Sequence, residues 1–468
     1  MSARPIRLAA AALAAVALGG CAGLSADGGF GTVEQAASER LGKDVRWARS
    51  DAERAALDAR VDALLAEALA ADAAVQVALL NNRGLQAAFD ELGIAEAAFV
   101  QAGRLPNPGF GFGRLRRGDE TEIERSLHVD LARLLAMPMV REMESRRFER
   151  VKREAAAAML ALAADTRKAW VAAVAAEQSV RYMGQVREAA DASAELARRM
   201  ARAGNWNKLQ QAREQGFYAD AALGLARAER LRDATRERLT RLMGLWGERA
   251  QFRLPERLPD LPEAPLDMPD VERRAIAQRL DVQAARLGVE QTAKNLGLTR
   301  ATRFVDVLEL GAVRNSSNEA PTQRGWGVSF ELPLFDWSGA RVARAEAIYM
   351  QSLNRAAAIA IDARSEVREA YRAYRSTFDI ARHQRDEIVP IRQRIAEENL
   401  LRYNGMLIGV FELLADARAQ VASVNGYIDA LRDFWVAQAD LDLAMVGKPG
   451  LPMPAAGAAP PVAVGGGH

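Results

Sequence analysis

The sequence predicts a mainly α-helical protein with a small β part and an internal structural repeat. First, apolar residues recur every three or four positions over segments of about sixty residues, which is the period of very long helices. Second, short segments alternate between apolar and polar residues, as strands do. Third, the pattern repeats after about 200 residues, so that Leu85–Ala88 (LQAA) returns as Val282–Ala285 (VQAA).

The N-terminus has the layout of a secretory signal. Arg4 and Arg7 precede an apolar run that is too short to cross a bilayer, so residues 1–20 are predicted to be a signal peptide. The run ends in LGGC, which resembles a bacterial lipobox, and Cys21 is the only cysteine. The resemblance implies that Cys21 is acylated and that residues 21–50 form a lipidated segment. Residue 22 is Ala rather than Asp, so the resemblance to lipoprotein sorting signals favours the outer membrane, in bacteria that follow that rule. An ordinary signal followed by an incidental cysteine is the alternative.

The first repeat, residues 51–247, reads as helix, two strands, long helix, helix break and return helix. Helical periodicity extends to about Arg104, and alternating segments follow at Gly109–Leu115 and Glu122–Leu131. We predict that the long helix begins only after Pro138, because proline lacks the backbone donor of a helix interior. The segment AGN around Gly204 then ends that helix.

The second repeat, residues 270–447, follows the same order after a Pro-rich linker at 248–269, which we predict not to be a core element. Its strands are expected near Phe304–Val313 and Arg324–Leu334, and its helix break at Gly405. Pro390 is expected to kink the long helix. Residues 448–468 are predicted to be a disordered tail.

The last predicted strand leads into a helix through a distinctive junction. Trp326, Val328 and Phe330 alternate with small or polar residues, and Pro333 ends the alternation. The run Leu332–Asp336 (LPLFD), with Gly339 and Arg341, resembles the strand-to-helix junction of outer-membrane efflux proteins of the TolC family. Together with the signal and the repeat, this resemblance covers nearly the whole chain. It implies a homotrimeric outer-membrane channel, the passive exit duct of a tripartite pump with a periplasmic adaptor and an inner-membrane transporter.

A membrane-crossing part would have to be a closed β-barrel, because no apolar run beyond the signal reaches the length of a spanning helix. Two hairpins give four strands, fewer than the roughly eight of the smallest membrane barrels, whereas three copies give about twelve. The long helices would continue this barrel as an α-helical tunnel. Trp326, Val328 and Phe330 would then contact outer-membrane lipid. The predicted lumen residues are Glu124, His128, Asp130 and Glu331. The third strand's orientation stays open, because Asp306 shares a face with its apolar residues.

The helix breaks carry the predicted docking tip and gate. By the resemblance, the adaptor docks at Gly204, Asn205, Asn404 and Gly405; a plain turn, in which Gly supplies a left-handed residue, is the alternative. The acidic gate positions of some relatives are Phe411 and Leu414 here. Glu412 and Asp416 are the nearest carboxylates that could form a cation-attracting ring in three copies; a solvated helix face is the alternative.

Composition and motifs exclude other classes. The net charge is +2 with interspersed charges, which argues against a nucleic-acid partner. Without a metal-spaced Cys or His pair, a phosphate loop or an activated nucleophile, the sequence predicts no enzyme, cofactor or metal site. The cargo stays open between drugs, metals and other substrates. Met137, Met139 and Met143 would suit Cu(I) in a heavy-metal duct, or would fill packing gaps. A periplasmic structural coiled-coil lipoprotein is the rival from another class.

Overall fold

The computed structural model of the chain describes residues 23–304, 307–331 and 335–449. The signal peptide, Cys21, Asp306, the first three residues of the LPLFD run and the tail from residue 450 therefore lie outside the described residues. None of the helices within the described stretches qualifies as a transmembrane segment by its length and hydropathy.

Four helices and a hairpin precede the first long helix, and the first of these helices lies before residue 51, where the first repeat begins. The helices are α1 (Gly31–Leu41), α2 (Asp51–Leu65), α3 (Ala71–Asn81) and α4 (Arg83–Ala102). Strands β1 (Gly109–Arg117) and β2 (Glu120–Asp130) follow. The segment before α2 is folded onto the body, because Phe30 is buried with its ring centroid 4.9 Å from that of Phe89.

Two long helices complete the repeat: α5 (Leu131–Arg202) and α6 (Lys208–Met243). With 72 residues, α5 is about 110 Å long. The prediction that it starts after Pro138 is wrong, because it starts at Leu131 and contains Pro138. Asp130 initiates the helix, since its carboxylate accepts the Arg133 N–H at 2.8 Å, and one missing donor does not outweigh this cap.

The second repeat has the same order. A short 3-10 turn (Gly247–Ala250) and the linker lead to α7 (Val271–Gln278) and α8 (Leu280–Ala301), then β3 (Leu308–Ser317) and β4 (Gln323–Phe330). Helix α9 (Gly339–His383) passes through a π-helical turn (Gln384–Ile388) into α10 (Val389–Asn404), and α11 (Val410–Ala444) returns. The third strand begins four residues later than predicted. The expected irregularity at Pro390 takes the form of the π turn, because Pro390 cannot donate to the carbonyl four residues back.

The two hairpins form one antiparallel sheet in the order β1-β2-β3-β4. Strand β2 of the first repeat pairs with β3 of the second, with Leu127 opposite Ala312. Strands β1 and β4 are the edges of this sheet. The sheet stands at one end of the long helices, and the helix breaks lie at the other end of α5 and α10.

The core lies part of the way along the long helices, where the short helices and the linker surround them. Trp170 of α5, which is 4% exposed, donates from Nε1 to the Leu69 carbonyl at 2.7 Å. The prediction that residues 248–269 are not a core element is wrong, since Phe252, Leu258 and Leu261 are buried in this core. Their burial holds the Pro-rich segment against the helices although it has little regular structure.

A buried cation also ties α5 to α11 in this core. Lys168 Nζ lies 2.8 Å from an Asp165 oxygen and 2.9 Å from an Asp440 oxygen. Burial alone lowers the pKa of Lys168, but hydrogen bonds to the two carboxylates more than offset it, so the pKa is raised. The ion pair therefore persists at neutral pH.

In each repeat, a polar side chain at the junction of two helices donates hydrogen bonds to the carbonyls at the end of the return helix. In the first repeat, Asn82 Nδ2 donates to the Leu242 carbonyl at 2.8 Å, and Asn81 Nδ2 donates to the Met243 and Gly244 carbonyls. In the second repeat, the corresponding residue is Arg279, whose Nη1 donates to the Ala444 carbonyl at 3.4 Å. These contacts satisfy the carbonyls that the return helices leave unpaired at their ends.

Arg279 has additional ionic partners. Its Nη2 lies 2.6 Å from an Asp281 oxygen and 2.7 Å from a Glu366 oxygen, and its side chain is 1% exposed. Burial alone lowers the pKa of the guanidinium, but the two carboxylates more than compensate, so the pKa is raised. The side chain thus joins α8, α9 and the end of α11.

We predict that Arg279→Met destabilises the protein by about 3 kcal/mol, because two half-buried carboxylates would face each other without a cation. Asn82→Ala at the matching junction should cost about 1 kcal/mol, the loss of an uncharged cap. Denaturant unfolding measures both. Adding Asp281→Asn and Glu366→Gln to Arg279→Met should restore part of the loss, and a cost for Arg279→Met no larger than that of Asn82→Ala would contradict the prediction.

Candidate functional site

One face of the sheet is apolar and exposed. Directly opposite residues in antiparallel strands point to the same side, so the register assigns each position to a face. Trp326, Val328 and Phe330 are 78%, 48% and 59% exposed. The apolar residues of this face on the other strands are Phe110, Phe112, Ile123, Leu127, Val129, Leu308, Leu310 and Ala312. The register therefore fixes the orientation of the third strand, which the sequence leaves open, because Leu310 is opposite Val328.

The other face combines glycines with polar side chains. Gly109, Gly111 and Gly113 are opposite His128, Ser126 and Glu124. A Cβ added at Gly109 would overlap the His128 imidazole, and one at Gly111 would overlap the Ser126 hydroxyl. Glycine on β1 thus leaves space for the larger polar side chains of β2 that lie over it.

The residues predicted for the lumen lie on this second face or at its end. Glu124 and His128 belong to β2, and Glu124 accepts from Asn315 Nδ2 at 3.5 Å. Asp130 is the last residue of β2 and also caps α5. Glu331 follows β4, and its N–H donates to the Val307 carbonyl at 3.4 Å. The structure therefore places all four residues on the same side of the sheet, as a shared position in a lumen requires.

Sequence reasoning did not include Glu309, another acidic residue of this face, among the lumen residues. Glu309 is directly opposite both Asp130 and Ser329, so two carboxylates stand side by side at the helix end of the sheet. Its alternation with Leu308 and Leu310 is visible in the sequence. The signal was obscured by Asp306, which breaks the pattern just before the strand.

The first helix break is a compact glycine turn. Gly204 has φ 78°, and its N–H and that of Asn205 donate to the Ala201 and Met200 carbonyls at 3.1 and 2.9 Å. This is the Schellman pattern, in which a left-handed residue reverses the chain after a helix. Asn207 then begins α6 by exchanging side-chain hydrogen bonds with Gln210, both at 2.9 Å.

The second helix break differs from the glycine turn that we expected. Gly405 has φ −80°, and the left-handed residue is Met406, with φ 60°. The Met406 and Leu407 N–H groups donate to the Tyr403 and Arg402 carbonyls, both at 2.9 Å. The Schellman pattern is therefore shifted by one residue relative to Gly405, and Asn404 ends α10. Met406 and Leu407 are 93% and 77% exposed.

The two carboxylates proposed for a gate have different surroundings. Asp416 accepts a hydrogen bond from the buried Asn399 of α10, whereas Glu412, in the first turn of α11, is exposed. A third carboxylate nearby, Glu214 of α6, is 1% exposed; it accepts from Ser193 Oγ at 2.9 Å and lies 3.5 Å from Arg418. Sequence reasoning missed Glu214, since nothing in its flanking sequence distinguishes it from surface glutamates.

Metal ligands are not grouped in the part of the chain that the structure describes, where no three His, Cys, Asp or Glu residues could hold an ion together. Of the three methionines near the start of α5, Met139 reaches α8, because a Cβ at Gly297 would lie 3.9 Å from its methyl group. This contact fits the packing interpretation of Met139.

Comparison with solved structures identifies the fold. The chain is similar to the Campylobacter jejuni CmeC outer membrane channel, with TM-score 0.71 and 16% identity over 88% of this chain and 91% of that one. It is also similar to the Vibrio cholerae outer membrane protein VceC, with TM-score 0.67 and 15% identity over 83% and 96%. The open state of the Neisseria gonorrhoeae MtrE outer membrane channel is similar as well, with TM-score 0.67 and 18% identity over 80% of this chain and 88% of that one. No family model and no curated protein sequence matches the chain.

The architecture of this chain, in which long helices carry a small antiparallel sheet, is therefore a fold that it shares with these solved outer-membrane channels. The fold implied by the resemblance to the TolC family, mainly helical with four strands per chain, is confirmed.

We predict that three substitutions at the helix breaks change the stability of the two turns differently. Gly204→Ala should destabilise the first turn by about 1 kcal/mol, because an L-residue is strained at positive φ. Met406→Gly should stabilise the second turn by about the same amount. Gly405→Ala should change little, because φ is negative and a Cβ would meet ordinary contacts of 3.5 Å.

Hydrogen exchange of the turn amides measures these effects locally, and 1 kcal/mol corresponds to about a fivefold change in exchange rate. Equal effects of alanine at Gly204 and Gly405 would contradict the assignment of the left-handed residue to Met406.

Proposed function

We propose that three copies of this chain form an outer-membrane exit duct of a tripartite efflux system. One observation carries the proposal: a four-stranded sheet with an exposed apolar face, a polar glycine-rich face and two open edges stands at the end of long helices, of which α5 is about 110 Å long. A structural coiled-coil lipoprotein has no use for such a sheet. The fold of the similar channels supports the duct.

Barrel closure follows from the strand order. Strands β1 and β4 each leave one row of backbone donors and acceptors unpaired, and lipid cannot satisfy them. Because consecutive strands are antiparallel and even in number, β4 of one copy can pair antiparallel with β1 of the next. Three copies give about twelve strands, which is within the range of closed bacterial barrels. The apolar face then contacts outer-membrane lipid and the glycine-rich face lines the lumen.

The long helices also require neighbours. Large apolar side chains remain exposed along α9 and α10, where a single chain offers no partner. These residues are Ile348, Met350, Leu353, Ile361, Ile380, Ile391, Leu400 and Leu401. Helices of neighbouring copies would cover them and form the wall of a periplasmic tunnel. The exposed apolar side chains of α9 and α10 therefore support the homotrimer.

The two turns at the far end of the helices are the proposed docking tip for a periplasmic adaptor. Gly204, Asn205, Asn404 and Gly405 form or flank these turns, and Met406 and Leu407 expose apolar surface there. An apolar residue held at positive φ is a strained arrangement that a binding surface would justify. Transport energy would come from an inner-membrane transporter bound through the adaptor.

Glu412 and Asp416 are the proposed tip gate. Because Asp416 is held by Asn399 and Glu412 is exposed, Glu412 would supply the carboxylate that attracts cations when the tip is closed. Breaking the bond between Asp416 and Asn399 would accompany any separation of α11 from α10.

The proposed location is the outer membrane, with Cys21 as the lipid anchor. The lipobox-like sequence supports acylation of Cys21, which lies outside the described residues. The intact mass of the mature protein tests this: an acylated N-terminal cysteine supports the anchor, and an unmodified one refutes it.

The first experiment is the mass of the purified protein in detergent together with single-channel conductance in planar bilayers. We expect a trimer that conducts small ions, because closure of the sheet requires three copies. A monomer that never conducts would refute the barrel. A trimer that is silent with wild-type tips should conduct when Glu412→Gln and Asp416→Asn loosen the proposed gate.

We also predict that Glu124→Gln with Glu309→Gln lowers the cation selectivity of the open channel severalfold, because each substitution removes three carboxylates from the lumen of a trimer. Reversal potentials in asymmetric salt measure the selectivity. Asp119→Asn, in the hairpin turn, is the matched control and should leave selectivity almost unchanged. Equal selectivity of the double variant and the control would contradict the lumen assignment.

A further inference from the structure

On its hairpin side, the apolar face of the sheet carries a row of arginines, and beyond this row Ile123 is the one apolar strand residue of the same face. Arg125 of β2 is directly opposite Arg314 of β3, which is directly opposite Arg324 of β4. Their side chains therefore share the face that carries Trp326 and Val328. We call these three residues the cationic row.

The cationic row has no counter-charge of its own. Within the described part of the chain none of its guanidiniums forms an ion pair, and the one hydrogen bond that they donate to a side chain runs from Arg125 Nη1 to Ser316 Oγ, at 3.1 Å. The strand carboxylates Glu122, Glu124 and Glu309 belong to the opposite face. Like charges directly opposite each other destabilise a sheet, so the row needs an anion from outside the chain.

The position of the row indicates the anion. Three apolar rows separate it from the helix end of the sheet, namely Phe110 to Trp326, Val129 to Val328, and Leu308 with Phe330. Exposed aromatic residues, Phe304, Phe335 and Trp337, mark that helix end. The cationic row therefore bounds the apolar band on the side away from the long helices. In a membrane this boundary is the level of the lipid headgroups.

We propose that the cationic row binds the phosphates of an outer-leaflet lipid whose headgroup carries more than one phosphate. Guanidinium binds phosphate through two parallel hydrogen bonds. Neighbouring strands are about 4.8 Å apart, so the row extends about 10 Å across the sheet and can contact separate phosphates of one headgroup. Arg114 lies on the same face of β1, one same-face pair nearer the hairpin turn than Phe112, which is opposite Arg125, and would add a further cation beside the row. The inference rests on the proposed function, because it requires the apolar face to contact lipid.

The test uses the full-length protein in phosphatidylcholine nanodiscs that contain a small fraction of diphosphoryl or monophosphoryl lipid A. Native mass spectrometry counts the bound lipid. We expect the wild type to retain the diphosphoryl form preferentially, and Arg125→Gln/Arg314→Gln/Arg324→Gln to lose at least about tenfold in affinity, since charge-assisted hydrogen bonds are removed. Arg227→Gln/Arg230→Gln/Arg355→Gln makes the same charge change on exposed residues of α6 and α9 and should bind like the wild type.

Equal retention by the two triple variants would overturn the proposal. Full competition by millimolar inorganic phosphate would also overturn it, by showing a general anion site. Trimer mass and conductance are measured on the same samples, so a failure of the proposed function is distinguished from a failure of lipid binding. If the row variant does not assemble, Arg324→Gln and Arg324→Lys on the edge strand replace it. Glutamine should weaken lipid A binding more than lysine, and no difference from the wild type would overturn the proposal.

Discussion

The sheet of this protein cannot satisfy its own edges, and the remaining architecture depends on that constraint. Strands β1 and β4 have unpaired backbone groups on their outer sides, and the apolar face between them is exposed. The helices have the same need on a larger scale, because α9 and α10 expose large apolar side chains along their length. A single copy is thus well packed around Trp170 and Phe89, but its sheet edges and the apolar faces of α9 and α10 lack partners. Association of copies would supply partners for both.

The two repeats keep the same geometry with different chemistry. Asn82 and Arg279 occupy matching junctions and hold the carbonyl end of a return helix, but Arg279 also neutralises Asp281 and Glu366. At the opposite end, one turn uses Gly204 and the other uses Met406 as the left-handed residue. The second repeat therefore has the energetically less favourable feature at both ends: a buried charge, Arg279, at the junction, and a strained backbone, at Met406, in the turn.

Much of the fold is predictable from the sequence because long helices and two-sided strands have distinct periods. The alternation from Trp326 to Phe330 identifies β4 and its apolar face, and the repeat identifies the order of elements. Pro138 was misleading because a local propensity was outweighed by the cap at Asp130. The left-handed Met406, the carboxylate pair of Asp130 and Glu309, and the buried Glu214 depend on hydrogen-bond register or on distant contacts, which local sequence does not encode.

The position of the core along the long helices has a mechanical consequence. Trp170, near the middle of the core, lies 32 residues before Arg202 at the end of α5, a distance of about 48 Å along the axis. If the helices rotate about the core, the displacement of a residue grows with its distance from the core. A rigid tilt of about 5° at the core would displace the tip by about 4 Å, close to the width of one side chain. Small changes of packing near Arg279 and Lys168 are therefore amplified at the turns, while the sheet at the opposite end can remain closed.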